Sequence, residues 1–174
     1  ENIADKATVA GVEIEIRKNL FVRPVSNAAH GMNKLSLGLN GSYIYTNAKM
    51  PLATVTTGSQ LEGAAPWIVN FDLSHNFTKG ERSFVNTLVL NYVSDKIYTI
   101  GTQGYQDIME QGVLTLDFVS QAKLNKHLSL NLKARNLLNP SYKLSRKANE
   151  NGEKVILNDY KKGINISLGV SCTF

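Results

Sequence analysis

Apolar and polar residues alternate one for one through most of this chain, and the alternation continues to its last residue. In the closing stretch INISLGVSCTF, Ile164, Ile166, Leu168, Val170, Cys172 and Phe174 alternate with Asn165, Ser167, Gly169, Ser171 and Thr173. A period of two belongs to a β-strand whose faces meet different surroundings, because successive side chains point to opposite sides. Earlier stretches repeat it. Val12, Ile14 and Ile16 oppose Glu13, Glu15 and Arg17 in GVEIEIRKNL, and Leu35, Leu37, Leu39, Gly41, Tyr43 and Tyr45 oppose Ser36, Gly38, Asn40 and Ser42. In WIVNFDLSHNF, Trp67, Val69, Phe71, Leu73, His75 and Phe77 lie opposite Asn70, Asp72, Ser74 and Asn76. Leu88, Leu90 and Tyr92 oppose Thr87 and Asn91; Leu114, Leu116 and Phe118 oppose Thr115, Asp117 and Gln121. Leu128, Leu130, Leu132 and Ala134 oppose Ser129, Asn131, Lys133 and Arg135. Helical three-four spacing is nowhere sustained, so the chain reads as all-β, with seven strands.

The connections carry a second rhythm. Only TKGE separates the third strand from the fourth, and only LNKH the fifth from the sixth. The links over 49–66, 99–112 and 139–163 are long, while the link over 21–33 is intermediate and breaks the rule. Short turns at one end and long loops at the other are the habit of an up-and-down antiparallel transmembrane β-barrel.

The faces fit two solutions. A soluble sandwich would bury the apolar faces in a shared core, whereas a membrane barrel would turn them to lipid and line a wet lumen with the polar ones. The polar faces carry both signs of charge: Glu13, Glu15, Arg17, Asp72, Asp117, Lys123, Lys133 and Arg135. The aromatics weigh toward the barrel. Tyr43, Tyr45, Trp67, Phe77, Phe84 and Tyr92 fall toward strand ends, where interfacial girdles put amphipathic rings at headgroup depth.

Composition excludes several classes. The chain has 174 residues, 43% hydrophobic and 19% charged, which suits an ordered domain. No apolar run reaches the roughly 18 residues of a spanning helix. The net charge is +5, but the basic residues are scattered and form no nucleic-acid-binding face. The single cysteine, Cys172, permits no intrachain disulfide, and His30, His75 and His127 match no metal spacing. Asp72, Asp107 and Asp117 lie apart without a His or Ser constellation, so neither an enzyme nor a cofactor is expected.

Four stretches, in this order, resemble the C-terminal part of TonB-dependent outer-membrane receptors. They are PWIVNFDLSH after a long loop, LNLKARNLLNPSY, a polar loop with Tyr160 and Gly163 before the last strand, and a final strand ending in an aromatic. The early GVEIEI is similar to a recurrent strand start in that family, and NLLNP resembles its Bacteroidetes-type branch. The resemblance implies that residues 1–174 form the C-terminal part of a larger, 22-stranded plugged barrel, without its plug domain. Seven strands alone would leave two open edges in lipid, which the bilayer does not tolerate. Strands sixteen to twenty-two are therefore expected, with residues 1–10 in an extracellular loop. That loop is where a break would leave the remaining barrel and plug as a separate chain.

The resemblance further implies a multi-pass protein of the bacterial outer membrane that imports a scarce nutrient of the siderophore, cobalamin, oligosaccharide or peptide class. Its expected partners are the remaining barrel and plug, the TonB complex through the plug, a surface lipoprotein, and outer-membrane lipid. Glu13, Glu15, Arg17, Asp72, Asp117, Lys133 and Arg135 are candidates for the lumen wall and plug contacts. Gln103, Tyr105, Tyr142 and Arg146 are candidates for substrate contacts in the long loops. By the same resemblance Phe174 belongs to the assembly signal, and Cys172 is a small lipid-facing residue. Two other readings compete. A small self-contained barrel would need an eighth strand from EKVILNDY, whose alternation is poor, and a soluble β-sandwich binding module would need grouped exposed aromatics.

Overall fold

In the computed structural model, which describes residues 6–25, 31–49, 60–101, 105–148 and 153–173, every regular element is a β-strand. The strands are β1 (Lys6–Pro24), β2 (Met32–Lys49), β3 (Trp67–Lys79), β4 (Arg82–Val93), β5 (Lys96–Thr99) and β6 (Ile108–Glu110), followed by β7 (Val113–Lys123), β8 (Leu128–Arg135), β9 (Ser141–Lys147), β10 (Lys154–Lys161) and β11 (Asn165–Cys172). Seven of them form one antiparallel sheet in the order β1-β2-β3-β4-β7-β8-β11. The expected seven-stranded wall is present.

Register follows the alternation. Ile16, Leu39 and Phe71 stand opposite one another across β1, β2 and β3, and Phe71, Leu90 and Leu116 continue the row across β4 and β7. A slip of one residue would turn a whole strand's apolar set onto the polar face, so the pattern fixes the pairing. Shared parity of this kind gives the sheet one mainly apolar face, on which Lys18 also falls opposite Leu37, and one mainly polar face.

Two expectations need correction. Pairing of β1 begins at Lys6, opposite Lys49, so residues 6–10 belong to the strand, not to a loop. The stretch was unreadable because Ala7, Thr8, Ala10 and Gly11 are small and blur the alternation. Residues 1–5 lie outside the described ones. The first link shrinks to 25–31, since β1 and β2 run past their alternating cores and absorb a bulge between Asn19 and Phe21. Every odd-numbered link of the wall is then short. The polar face also carries Val85, Val89 and Val119 beside Asp72, Thr87 and Asp117.

The long links are not structureless. They hold β5, β6, β9 and β10, which form a second sheet in the order β10-β9-β6-β5. Chain continuity explains that order: β4 runs on into β5, β6 into β7, β8 into β9, and β10 into β11. The second sheet is thus an upper storey over the last four wall strands, separated by breaks at 94–95, 111–112, 136–140 and 162–164. EKVILNDY does make a strand, but in this storey beside β9, so it does not close the lower wall.

Buried side chains gather toward the long-link end of the wall. Among the described residues the buried apolar side chains are Ala48, Ala65, Ile97 and Val113. Segment 60–66 is tied there: the Leu61 N–H donates to Thr46 Oγ1 at 3.0 Å and the Gly63 N–H to the Ile97 carbonyl at 2.8 Å. No large described side chain is fully buried, so the sheets do not enclose a sandwich core. On the edge strand β11, Leu168 is 71% exposed.

Candidate functional site

Three surfaces bear on function: the polar face of the wall, its apolar face, and the cavities between storeys. On the polar face an amide ladder crosses four strands. Asn40 on β2 donates to Glu13 on β1 at 2.6 Å, Asn70 on β3 donates to Asn40 Oδ1 at 3.3 Å, and Asn91 on β4 donates to Asn70 Oδ1. Asn40, Asn70 and Asn91 are direct cross-strand partners, followed by Thr115 on β7. Asn40 and Asn70 each give and accept, which is how a half-buried polar row avoids unmet hydrogen bonds.

The charged candidates separate into three groups. Glu15 and Arg17 form an exposed ion pair on β1. Asp72 reaches across β2 above Gly38, where an added Cβ would sit 2.1 Å from its Oδ1. Gly38 is the direct partner of both Arg17 and Asp72, so its missing side chain brings the carboxylate toward the guanidinium. Lys133 and Arg135 are exposed on β8 on this same face.

Asp117 has a different task. Its Oδ1 accepts the Asn136 N–H at 2.8 Å, at the start of the NLLN turn. Asn136 and Asn139 take positive φ, 58° and 44°, which asparagine tolerates better than most residues. Asn136 Nδ2 donates to the Gly163 carbonyl at 2.7 Å, and Asn139 Oδ1 accepts the Gly163 N–H at 3.1 Å. Two side chains from the turn thus hold the backbone just ahead of β11, in a clip joining β7, β8 and the last strand. Sequence alone could not assemble it, because its members are 19 and 27 residues apart.

Among the substrate candidates, Gln103 lies outside the described residues, as does Phe174. Tyr105 is exposed, with the Arg146 guanidinium 5.1 Å from its ring centroid. Tyr142 stacks on Tyr160 with centroids 5.5 Å apart, and Lys162 Nζ stands 3.9 Å from the Tyr142 centroid. Tyr142 and Lys162 line a cavity of about 200 Å³ between the storeys, with Asn91, Thr115, Gln111 and the Lys96–Glu110 ion pair (3.3 Å). Arg146 lines a second, of about 320 Å³, with Asp95, Asp107, Lys147 and Lys154. Lys96, Glu110 and Lys162 escape a reading of the sequence because they fall in links with no visible period, and Tyr160 reads there only as part of a polar loop.

The apolar face carries aromatics at two levels. Tyr43 and Trp67, direct partners, have ring centroids 4.5 Å apart, with Tyr45 and Tyr92 at the same end of their strands. Phe77 and Phe84 pair at 6.4 Å beside the Gly80–Glu81 turn. Polar residues also sit on this face near that second pair: Arg23 is opposite Asn33, His75 bonds Asn33 at 2.8 Å, and Ser120 donates to Asn86 at 2.7 Å. The exposed Cys172 is opposite Leu128 on the apolar face.

The family model described as TonB dependent receptor-like, beta-barrel matches residues 1–137. The chain belongs to the TonB-dependent receptor β-barrel family. Comparisons with curated proteins and with solved structures returned no match. Members of this family are bacterial outer-membrane proteins that transport nutrients, and their barrels work with a plug and TonB; the family is not one of enzymes. The match ends inside the NLLN turn, so the upper β9–β10 hairpin and β11 lie beyond it.

Proposed function

We propose that this TonB-dependent receptor barrel segment is the C-terminal wall of an energised outer-membrane importer, with its apolar face in lipid and its polar face toward a plugged lumen. The observation that carries the reading is the segregation of features by face and by end. From Trp67 to Phe77, an extended strand of ten steps at about 3.4 Å, tilted about 45°, spans roughly 24 Å of depth, close to the apolar band of an outer-membrane barrel. His75, Asn33, Asn86 and Ser120 then fall at headgroup depth, where a polar side chain costs little. The short turns lie on the periplasmic side, and the upper storey stands outside.

Among the described residues β1 and β11 each pair on one side only, which supports residues 1–174 as the C-terminal part of a larger barrel, because open backbone edges in hydrocarbon are strongly unfavourable. Within that wall, Glu13, Glu15, Arg17, Asp72, Lys133 and Arg135 face the plug, and the cavity at Tyr142 and Lys162 meets the substrate before the plug moves. Its mixed lining of amides, tyrosines and an ion pair favours a polar nutrient of the siderophore, cobalamin, oligosaccharide or peptide class. A surface lipoprotein would find the upper storey first.

The test is depletion of nutrients from growth medium, followed by untargeted mass spectrometry. Cells with the receptor are expected to deplete at least one compound that cells lacking it leave, and a protonophore is expected to abolish the difference. Identical depletion in both strains under nutrient limitation would contradict the proposal.

A further inference from the structure

The apolar face is not an even surface. At Gly41 it opens into a groove of about 480 Å³, lined by Val12, Ile14, Ile16, Leu39, Trp67 and Val69, with no polar surface. The groove exists because Gly41 has no side chain, and nothing stands within 4 Å of where its Cβ would be. On one side rise the β-branched residues of β1, and on the other Val69 and the Tyr43–Trp67 ring pair. The hollow follows the direction of β2 and ends at the aromatic row on the side of the long links.

We infer that this groove seats one acyl chain of a membrane lipid whose headgroup lies level with Tyr43 and Trp67. The inference rests on the lipid-facing reading of the apolar face and adds a defined site to it. A wholly apolar furrow inside a lipid-facing belt has hydrocarbon as its neighbour, and a chain lying along it touches walls on both sides. Those extra dispersion contacts are individually small and sum along the chain. A flat stretch of wall offers contact on one side only. The headgroup end is set by the ring pair, whose hydroxyl and indole N–H favour the interface.

Trp67 is the chain's only tryptophan and lines the groove, so it reports occupancy directly. The full-length receptor is reconstituted into dibrominated phosphatidylcholine and then exchanged into detergent, with the Trp67→Phe protein as baseline. Bromine quenches a nearby indole. Quenching of Trp67 that survives the exchange is expected in the wild type, is reduced in Gly41→Ala and is lost in Gly41→Leu. All variants are expected to show the same heat-modifiable migration, since the added side chain enters open space. Quenching that disappears from the wild type on exchange would overturn the inference, leaving only the passing lipid of any barrel surface. Survival that is equal in wild type and Gly41→Leu would overturn it too, because the chain would then lie elsewhere. Absence of quenching before the exchange would overturn the lipid-facing reading as well.

Discussion

Gly38 and Gly41 lie on the same strand and face opposite ways, and each is a glycine for its own reason. Above Gly38 the Asp72 carboxylate occupies the space a side chain would fill, whereas Gly41 faces open space. Gly38→Ala therefore displaces the Asp72 carboxylate, the free end of a flexible side chain, and is expected to lower stability by about 0.5–1 kcal/mol. The same change in an Asp72→Ala background should cost much less. A double-mutant cycle in urea, read by heat-modifiable migration, checks that coupling. Asn139 makes a second residue-scale case. Its φ of 44° is left-handed, so Asn139→Ala should destabilise by about 1–2 kcal/mol, while Asn139→Gly recovers the backbone part but not the bond to Gly163.

At the scale of the element, the final strand depends on the clip ahead of it. Asp117→Ala removes the acceptor of the Asn136 N–H and is expected to cost about 1–3 kcal/mol, whereas Asp117→Asn keeps an oxygen there and should be mild. The folded fraction after refolding in detergent separates the two. Strands of the wall were legible because each meets unlike surroundings on its two faces, as in Trp67 to Phe77 with Asn70, Asp72 and Ser74 between. The upper storey was not. β6 is three residues long, and β10 carries a register shift between Ile156 and Asn158 that throws Leu157 out of the alternation. For the same reason EKVILNDY looked a poor strand, although it pairs with β9 along most of its length. Of the candidate site, the charges on alternating positions could be read, but not their partners. Asp117 looked like another wall carboxylate and turns out to hold a turn. The cavity lined by Tyr142 and Lys162 needs four segments that only the fold brings together.

On the scale of the whole molecule, the seven-stranded sheet sets a mainly apolar face against a mainly polar one. Among the described residues only a few small side chains are buried, so a packed core contributes little to their stability. Cross-strand hydrogen bonds, the amide ladder and a surrounding hydrocarbon solvent take that role in a membrane wall. The central claim is which side meets lipid, and it can be measured along β3. Single cysteines placed from 68 to 76, in a Cys172→Ser background, are spin-labelled in the receptor in nanodiscs. Collision rates with oxygen and with a water-soluble nickel chelate are then compared. The account predicts oxygen maxima at 69, 71 and 73 and nickel maxima at 70, 72 and 74, in alternation. The reverse phase, or nickel access at every position, would contradict it.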